Sequence, residues 1–138
     1  MVILFDRFNL PDDVYEVVFA TKQQVIVAKL LVNMTKEKGG EITKTEMSFF
    51  ATQLHEGKLI TDTLEDPPYF GKKVKISYNK RQFYDRILTP MKSMGIIDYD
   101  LYKKTYRLSD KLNKEMIRIG LMWLQELRKN PNEIRKNA

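Results

Sequence analysis

The sequence predicts a mainly helical α+β fold, one domain with elaborations, and three observations carry that expectation. Helix-opening signals recur at Thr21, Thr43 and Asn79, each ahead of apolar residues at helical spacing. Between Gly95 and Ser109 two short runs rich in Ile, Tyr and Thr flank a polar tip, which is a β-hairpin pattern. Beyond Ser109 comes a long run of helical period that is apolar over more of its circumference than one small domain can cover. A chain of 138 residues can bury one core and is short for two.

Taken in order, residues 1–20 read as an N-terminal extension whose acidic pair Asp12-Asp13 sits in a turn. Thr21 to Gln24 is a Thr-x-x-Gln capping box, in which hydroxyl and amide satisfy free backbone amides at a helix start. The helix spans roughly Lys22 to Lys38, and Gly39-Gly40 supply its exit. Glu41-Ile42 is a short β piece, and Thr43 to Glu46 repeats the box as Thr-x-x-Glu. Met47, Phe50, Ala51 and Leu54 then recur at helical spacing up to Gly57.

From Lys58 to Tyr78 the pattern changes to β-like pieces, Leu59–Leu64 and Val74–Tyr78, around a segment containing Pro67 and Pro68. A hairpin and a mobile loop both fit. Asn79 to Gln82 opens a third helix that runs to about Met94, with Gly95 as its stop. At about 100° per residue, Phe83, Ile87, Met91 and Met94 share one face, with Tyr84 and Leu88 at its edge. Gln82, Asp85, Arg86, Thr89, Lys92 and Ser93 share the other. Pro90, lacking an amide hydrogen, is expected to bend this helix or end it early. Ser109 or Asp110 caps the last helix, over about 110–130, where Leu112, Met116, Ile119, Trp123 and Leu127 form a stripe that Ile117, Leu121, Met122 and Leu124 widen. Residues 131–138 are a basic tail.

Charge is unevenly distributed. The formal net charge is +6, yet residues 1–71 carry 7 Lys or Arg against 11 Asp or Glu, whereas residues 72–108 carry 10 against 3. A basic central stretch in an otherwise acidic or neutral domain is a footprint for a polyanion, with a solvated face as the plainer alternative. The absence of cysteine excludes disulfides and thiolate chemistry, and His55, the one histidine, reads as a polar residue near a helix end rather than a ligand. No paired acids, phosphate-binding glycine loop or histidine metal motif is recognisable, so a binding protein without catalytic residues, metal or cofactor is expected. No apolar run has the length of a membrane span, and Met1–Phe5 run into Asp6-Arg7 without a basic leader, which sets the expectation of a cytoplasmic protein.

The order helix, β piece, helix, helix, hairpin, helix resembles the winged helix-turn-helix family. The most specific part is Leu88-x-x-Met91-x-x-Met94-Gly95-Ile96-Ile97 followed by Tyr106-Arg107-Leu108-Ser109, which is similar to the recognition helix and wing of MarR-like and PadR-like regulators. The resemblance covers about Thr21 to Leu127 and departs from the family at 58–78. That stretch is far longer than the tight turn between the two helices of the motif, so either it is an insertion or a different pair of helices forms the motif.

What the resemblance implies is a domain over 21–109 that binds double-stranded DNA. Lys80, Arg81, Gln82, Asp85, Arg86, Thr89, Lys92 and Ser93 would lie on a helix in the major groove. Arg86 suits guanine, Gln82 adenine and Thr89 a thymine methyl, while Asp85 orients Arg81 or Thr89 or accepts from a cytosine amine. Lys103, Lys104 and Arg107 would anchor the wing, and Lys72, Lys73 and Lys75 would grip flanking phosphates, unless that lysine-rich loop only keeps an edge strand soluble. In related folds the last helix forms a two-fold interface, which here implies a homodimer through Ile117, Gly120, Leu121, Met122 and Leu124; the alternative is that residues 1–20 fold across that helix. A dimeric transcriptional regulator heads the expectation. Beside it stand a DNA-binding architectural or partition protein of low specificity, a protein-interaction module in a transcription or replication complex, and single-strand binding through Tyr78, Tyr84, Tyr99, Tyr102 and Tyr106.

Overall fold

The computed structural model describes residues 7–61 and 74–131. Its first helix, α1 (Val14–Val18), is too short to show a period in sequence. Asp13, expected in a turn, is its N-cap: the carboxylate accepts from the Tyr15 backbone N–H at 2.8 Å and pairs with Lys29 at 2.8 Å, which ties α1 to the next helix. That helix, α2 (Lys22–Glu37), opens on the expected Thr21/Gln24 box, and Gly39 and Gly40 leave it with φ of 83° and 89°. Strand β1 (Glu41–Thr43) leads into α3 (Lys44–His55), which opens on the Thr43/Glu46 box.

Strands β2 (Leu59–Thr61) and β3 (Val74–Ile76) pair antiparallel, as the hairpin alternative expects; β3 stops two residues before Tyr78, and residues 62–64 of the first β-like piece lie outside the described residues. Pro67 and Pro68 lie outside the described residues. Helix α4 then occupies 80–93, β4 (Ile97–Asp100) and β5 (Thr105–Leu108) make the expected hairpin, and α5 (Lys111–Arg128) ends the description.

The architecture is α+β and mainly helical, with an antiparallel three-stranded sheet in the order β1-β5-β4. Ile42, Tyr106 and Ile97 point from that sheet into a core shared with Val27, Ala28 and Leu31 of α2, Met47, Phe50 and Leu54 of α3, and Phe83, Ile87 and Met91 of α4. Each of the larger side chains contributes about 1.5–3 kcal/mol by leaving water. The Phe50 and Phe83 rings meet at 5.5 Å and join α3 to α4.

Two long-range bonds join the end of α3 to the start of α4. The Tyr78 N–H donates to the Leu54 carbonyl at 3.0 Å, and the Lys80 N–H, free at the start of α4, donates to His55 Nδ1 at 3.0 Å. The end of α3 and the start of α4 are therefore bonded to each other, with β2 and β3 between them in sequence.

Pro90 neither ends nor breaks α4. Residues Tyr84–Leu88 widen into a π turn, in which the Thr89 N–H reaches back five residues to the Tyr84 carbonyl. The Thr89 hydroxyl donates to the same carbonyl at 2.8 Å. Pro90 then falls in the first turn of the final segment, Thr89–Ser93, where a missing amide hydrogen is tolerated.

No residue of α5 is buried. Residues 7–20 do not fold across it; α1 packs on α2 instead. Among the described residues the base of α5 is held by hydrogen bonds: the Leu112 N–H donates to the Gly95 carbonyl at 3.2 Å, the Lys111 ammonium to Asp98 at 2.8 Å, and the Ser109 hydroxyl accepts from the Lys111 N–H at 3.2 Å. Asp110 occupies the N-cap position without a side-chain capping bond, its carboxylate lying 3.5 Å from the Lys114 ammonium instead. No helix among the described residues is long and apolar enough to cross a membrane.

Candidate nucleic-acid interface

Helix α4 is positioned from three sides. Its N-terminus is capped by Asn79, whose side chain accepts from the Gln82 N–H at 3.1 Å, and by His55 of α3. Phe83, Ile87, Leu88 and Met91 are buried, and Gly95 with φ of 80° turns the chain from α4 into β4. That burial leaves Arg81, Gln82, Asp85, Arg86, Thr89, Lys92 and Ser93 exposed on the outer surface.

The outer side chains differ in freedom. Arg81 and Asp85 approach to 3.9 Å one turn apart, a loose solvated pair, so Asp85 offsets part of the charge beside it. Thr89 is exposed, and its hydroxyl is engaged with the Tyr84 carbonyl. The Lys92 ammonium lies 5.8 Å from the centre of the Tyr99 ring. Lys80 does not join the outer face: its ammonium donates to the Thr52 hydroxyl at 3.0 Å, so this lysine bridges α4 to α3. Its position one turn before Tyr84 gives no sign of that, because the partner comes from another helix.

The hairpin tip is held by its own backbone. The Asp100 carboxylate accepts from the Tyr102 N–H at 2.9 Å and the Lys103 N–H at 3.1 Å, Lys104 adopts φ of 54°, and the Lys104 carbonyl accepts from the Lys44 N–H at 2.9 Å. The bond from the Lys103 N–H leads the effects that hold the Asp100 carboxyl below its usual range; the Tyr102 N–H and the charges of Lys103 and Arg107 add to it against some desolvation. Lys103, Lys104 and Arg107 are exposed. Arg107 shares Asp98 with Lys111, at 3.7 Å and 2.8 Å, so one acid offsets part of two cations.

Leu101 and Tyr102 crown the tip with 76% and 99% of their surfaces exposed, and sequence reasoning assigned Leu101 nothing. The signal was two apolar residues between Asp100 and Lys103 in a turn. Of the five tyrosines weighed as a stacking platform, Tyr78 and Tyr106 are buried and Tyr84 and Tyr99 half-buried, which leaves Tyr102. A row of stacked single-stranded bases has no platform among them.

Lys72 and Lys73 lie outside the described residues, and Lys75 is placed in β3 opposite Ile60 without a described side chain. On α5, Ile117, Gly120, Leu121, Met122 and Leu124 are all exposed. An open groove of about 830 Å³ lies between α1 and α2, floored by Phe19, Val25, Ile26 and Leu30 and edged by Lys22, Lys29 and Lys36.

No family model, no curated protein and no solved structure matches this chain.

Proposed function

We propose that the protein is a winged-helix, sequence-specific binder of double-stranded DNA that acts as a dimeric transcriptional regulator. The observation that carries this reading is α4, a helix fixed on three sides by core and caps with Gln82, Arg86 and Thr89 exposed. A guanidinium, an amide and a methyl match the donor, acceptor and apolar patterns that base pairs present in the major groove. The sheet order β1-β5-β4 and the cationic hairpin that follows α4 support the winged-helix assignment. In this reading Lys103, Lys104 and Arg107 contact phosphates, the insertion lysines 72, 73 and 75 add sequence-blind attraction, and Lys80 is removed from the contact set. Two copies joined through α5 would present two α4 helices to a two-fold symmetric site. A cytoplasmic, non-enzymatic protein accords with that role.

Enrichment from a pool of randomised duplexes tests the assignment. The expected result is a recurring motif with two related halves, and loss of preference at one position of each half in Arg86→Ala. Binding without any enriched motif would replace the regulator with an architectural or partition role. The exposed Leu101 and Tyr102 favour a second reading, a protein-interaction module, because apolar groups at a rigid tip gain from contact with another protein. Failure to bind any duplex would leave that reading.

A further inference from the structure

Helix α5 exposes Met116, Ile117, Ile119, Leu121, Met122, Trp123, Leu124 and Leu127 while remaining anchored at its base. Of these, Met116, Ile117, Ile119, Trp123, Leu124 and Leu127, about half exposed, hold on the order of 700 Å² of accessible surface, within the range each partner brings to a standard stable interface. Their arrangement is specific. Asn113, Met116, Gly120, Trp123 and Leu127 are spaced by three, four, three and four residues, so they form one seam of a seven-residue repeat. Leu112, Ile119 and Glu126 flank the seam on one side, and Ile117 and Leu124 on the other. Leu121 and Met122 fall well off it.

Within the seam the volumes are uneven. Gly120 is a notch: a Cβ added there would meet nothing within 4 Å. One turn along stands Trp123, the only tryptophan of the chain, with 62% of its surface exposed. A parallel pair would place each seam residue opposite itself, with Gly120 on Gly120 leaving a void and Trp123 on Trp123 overfilling the next layer. An antiparallel pair whose axis passes between 121 and 122 places Trp123 of each copy over Gly120 of the other, and Met116 over Leu127. Interiors require both filled space and unstrained packing, and only the second arrangement provides them.

Resting on the reading of α5 as the contact between two copies, we infer that the partner is a second copy of this chain. It is held antiparallel by two symmetric Trp123-into-Gly120 contacts, with Met116 against Leu127 outside them. Leu121 and Met122 lie outside this seam, although the sequence placed them in the interface.

The chain has no cysteine, so single-cysteine variants of the full protein report the pairing directly. Mixed Met116→Cys and Leu127→Cys chains, mildly oxidised, are expected to give cross-linked heterodimer in large excess over either homodimer. In the antiparallel pair the two 116 positions stand about 16 Å apart along the axis, too far for a disulfide. Gly120→Leu is expected to weaken dimerisation roughly tenfold or more while helix content holds or rises, because the new side chain fills the notch yet favours helix. Abundant Met116→Cys homodimer would show parallel helices and overturn the inference while leaving the dimer. Dimers in sedimentation with no cross-link of either kind, or an unweakened Gly120→Leu dimer, would likewise overturn it. A monomeric unmodified chain at high micromolar concentration would remove the dimer reading and the inference together.

Discussion

Gly95→Ala tests the junction between α4 and α5. Gly95 has φ of 80°, a conformation that costs an L-residue roughly 1–2 kcal/mol. An added Cβ would lie 2.8 Å from Lys111 Cβ and 2.9 Å from the Leu112 backbone nitrogen, so α5 would have to move away. Overpacking of this kind costs about 1–3 kcal/mol. Restricting the unfolded chain returns about 0.4–1 kcal/mol, which leaves a net loss of roughly 1–5 kcal/mol. Gly39→Ala is the control, since Gly39 has φ of 83° and open space around its Cβ position. Urea denaturation of both variants separates strain from collision. The expected outcome is a midpoint for Gly95→Ala well below that of Gly39→Ala, by about 1–3 kcal/mol at similar slope. Equal losses in the two variants would refute the claim that α5 docks on Gly95.

His55→Ala removes the acceptor for the Lys80 N–H and is expected to cost about 1 kcal/mol, with faster hydrogen exchange at Lys80 than at Gln82, whose Asn79 cap is intact; unchanged exchange at Lys80 would dismiss the His55 cap. The Lys111 hydrogen bond, aided by the charges of Lys111 and Arg107 against some desolvation, holds the Asp98 carboxyl below its usual range. A carboxyl depressed on folding stabilises the fold above its unfolded value, near 4, and that stabilisation is lost as pH falls through the folded value. The β4–α5 junction is therefore expected to hold from neutral pH to about 4 and loosen below it, read as broadening of the Lys111 amide resonance. Asp98→Asn should remove that part of the acid response, and an identical response in the variant would dismiss the pair.

Much of the fold was legible because its signals are local. Thr21 with Gln24 and Thr43 with Glu46 satisfy backbone donors within three residues, and both boxes form as expected. The period of Phe83, Ile87 and Met91 identified the buried face of α4, which placed Gln82, Arg86 and Thr89 outside. Features made by distant partners were not legible. Lys80 turns inward to Thr52, 28 residues away, and the start of α4 is capped by His55, 25 residues from Lys80. Pro90 announced a missing donor, but the π turn that accommodates it depends on Tyr84 and Thr89 together within a packed helix. The breadth of the apolar face on α5 showed that one domain cannot cover it; the notch at Gly120 acquires meaning only once the helix is seen to stand free.

The most direct measurement of the central claim is the affinity of the full chain for duplex DNA across a salt series, beside a Lys103→Ala, Lys104→Ala double variant. The account predicts tight binding at low salt, a log–log slope that reports displaced counterions, and a slope shallower by about one for each lysine that contacts a phosphate. Absence of binding to any duplex at low salt would contradict it.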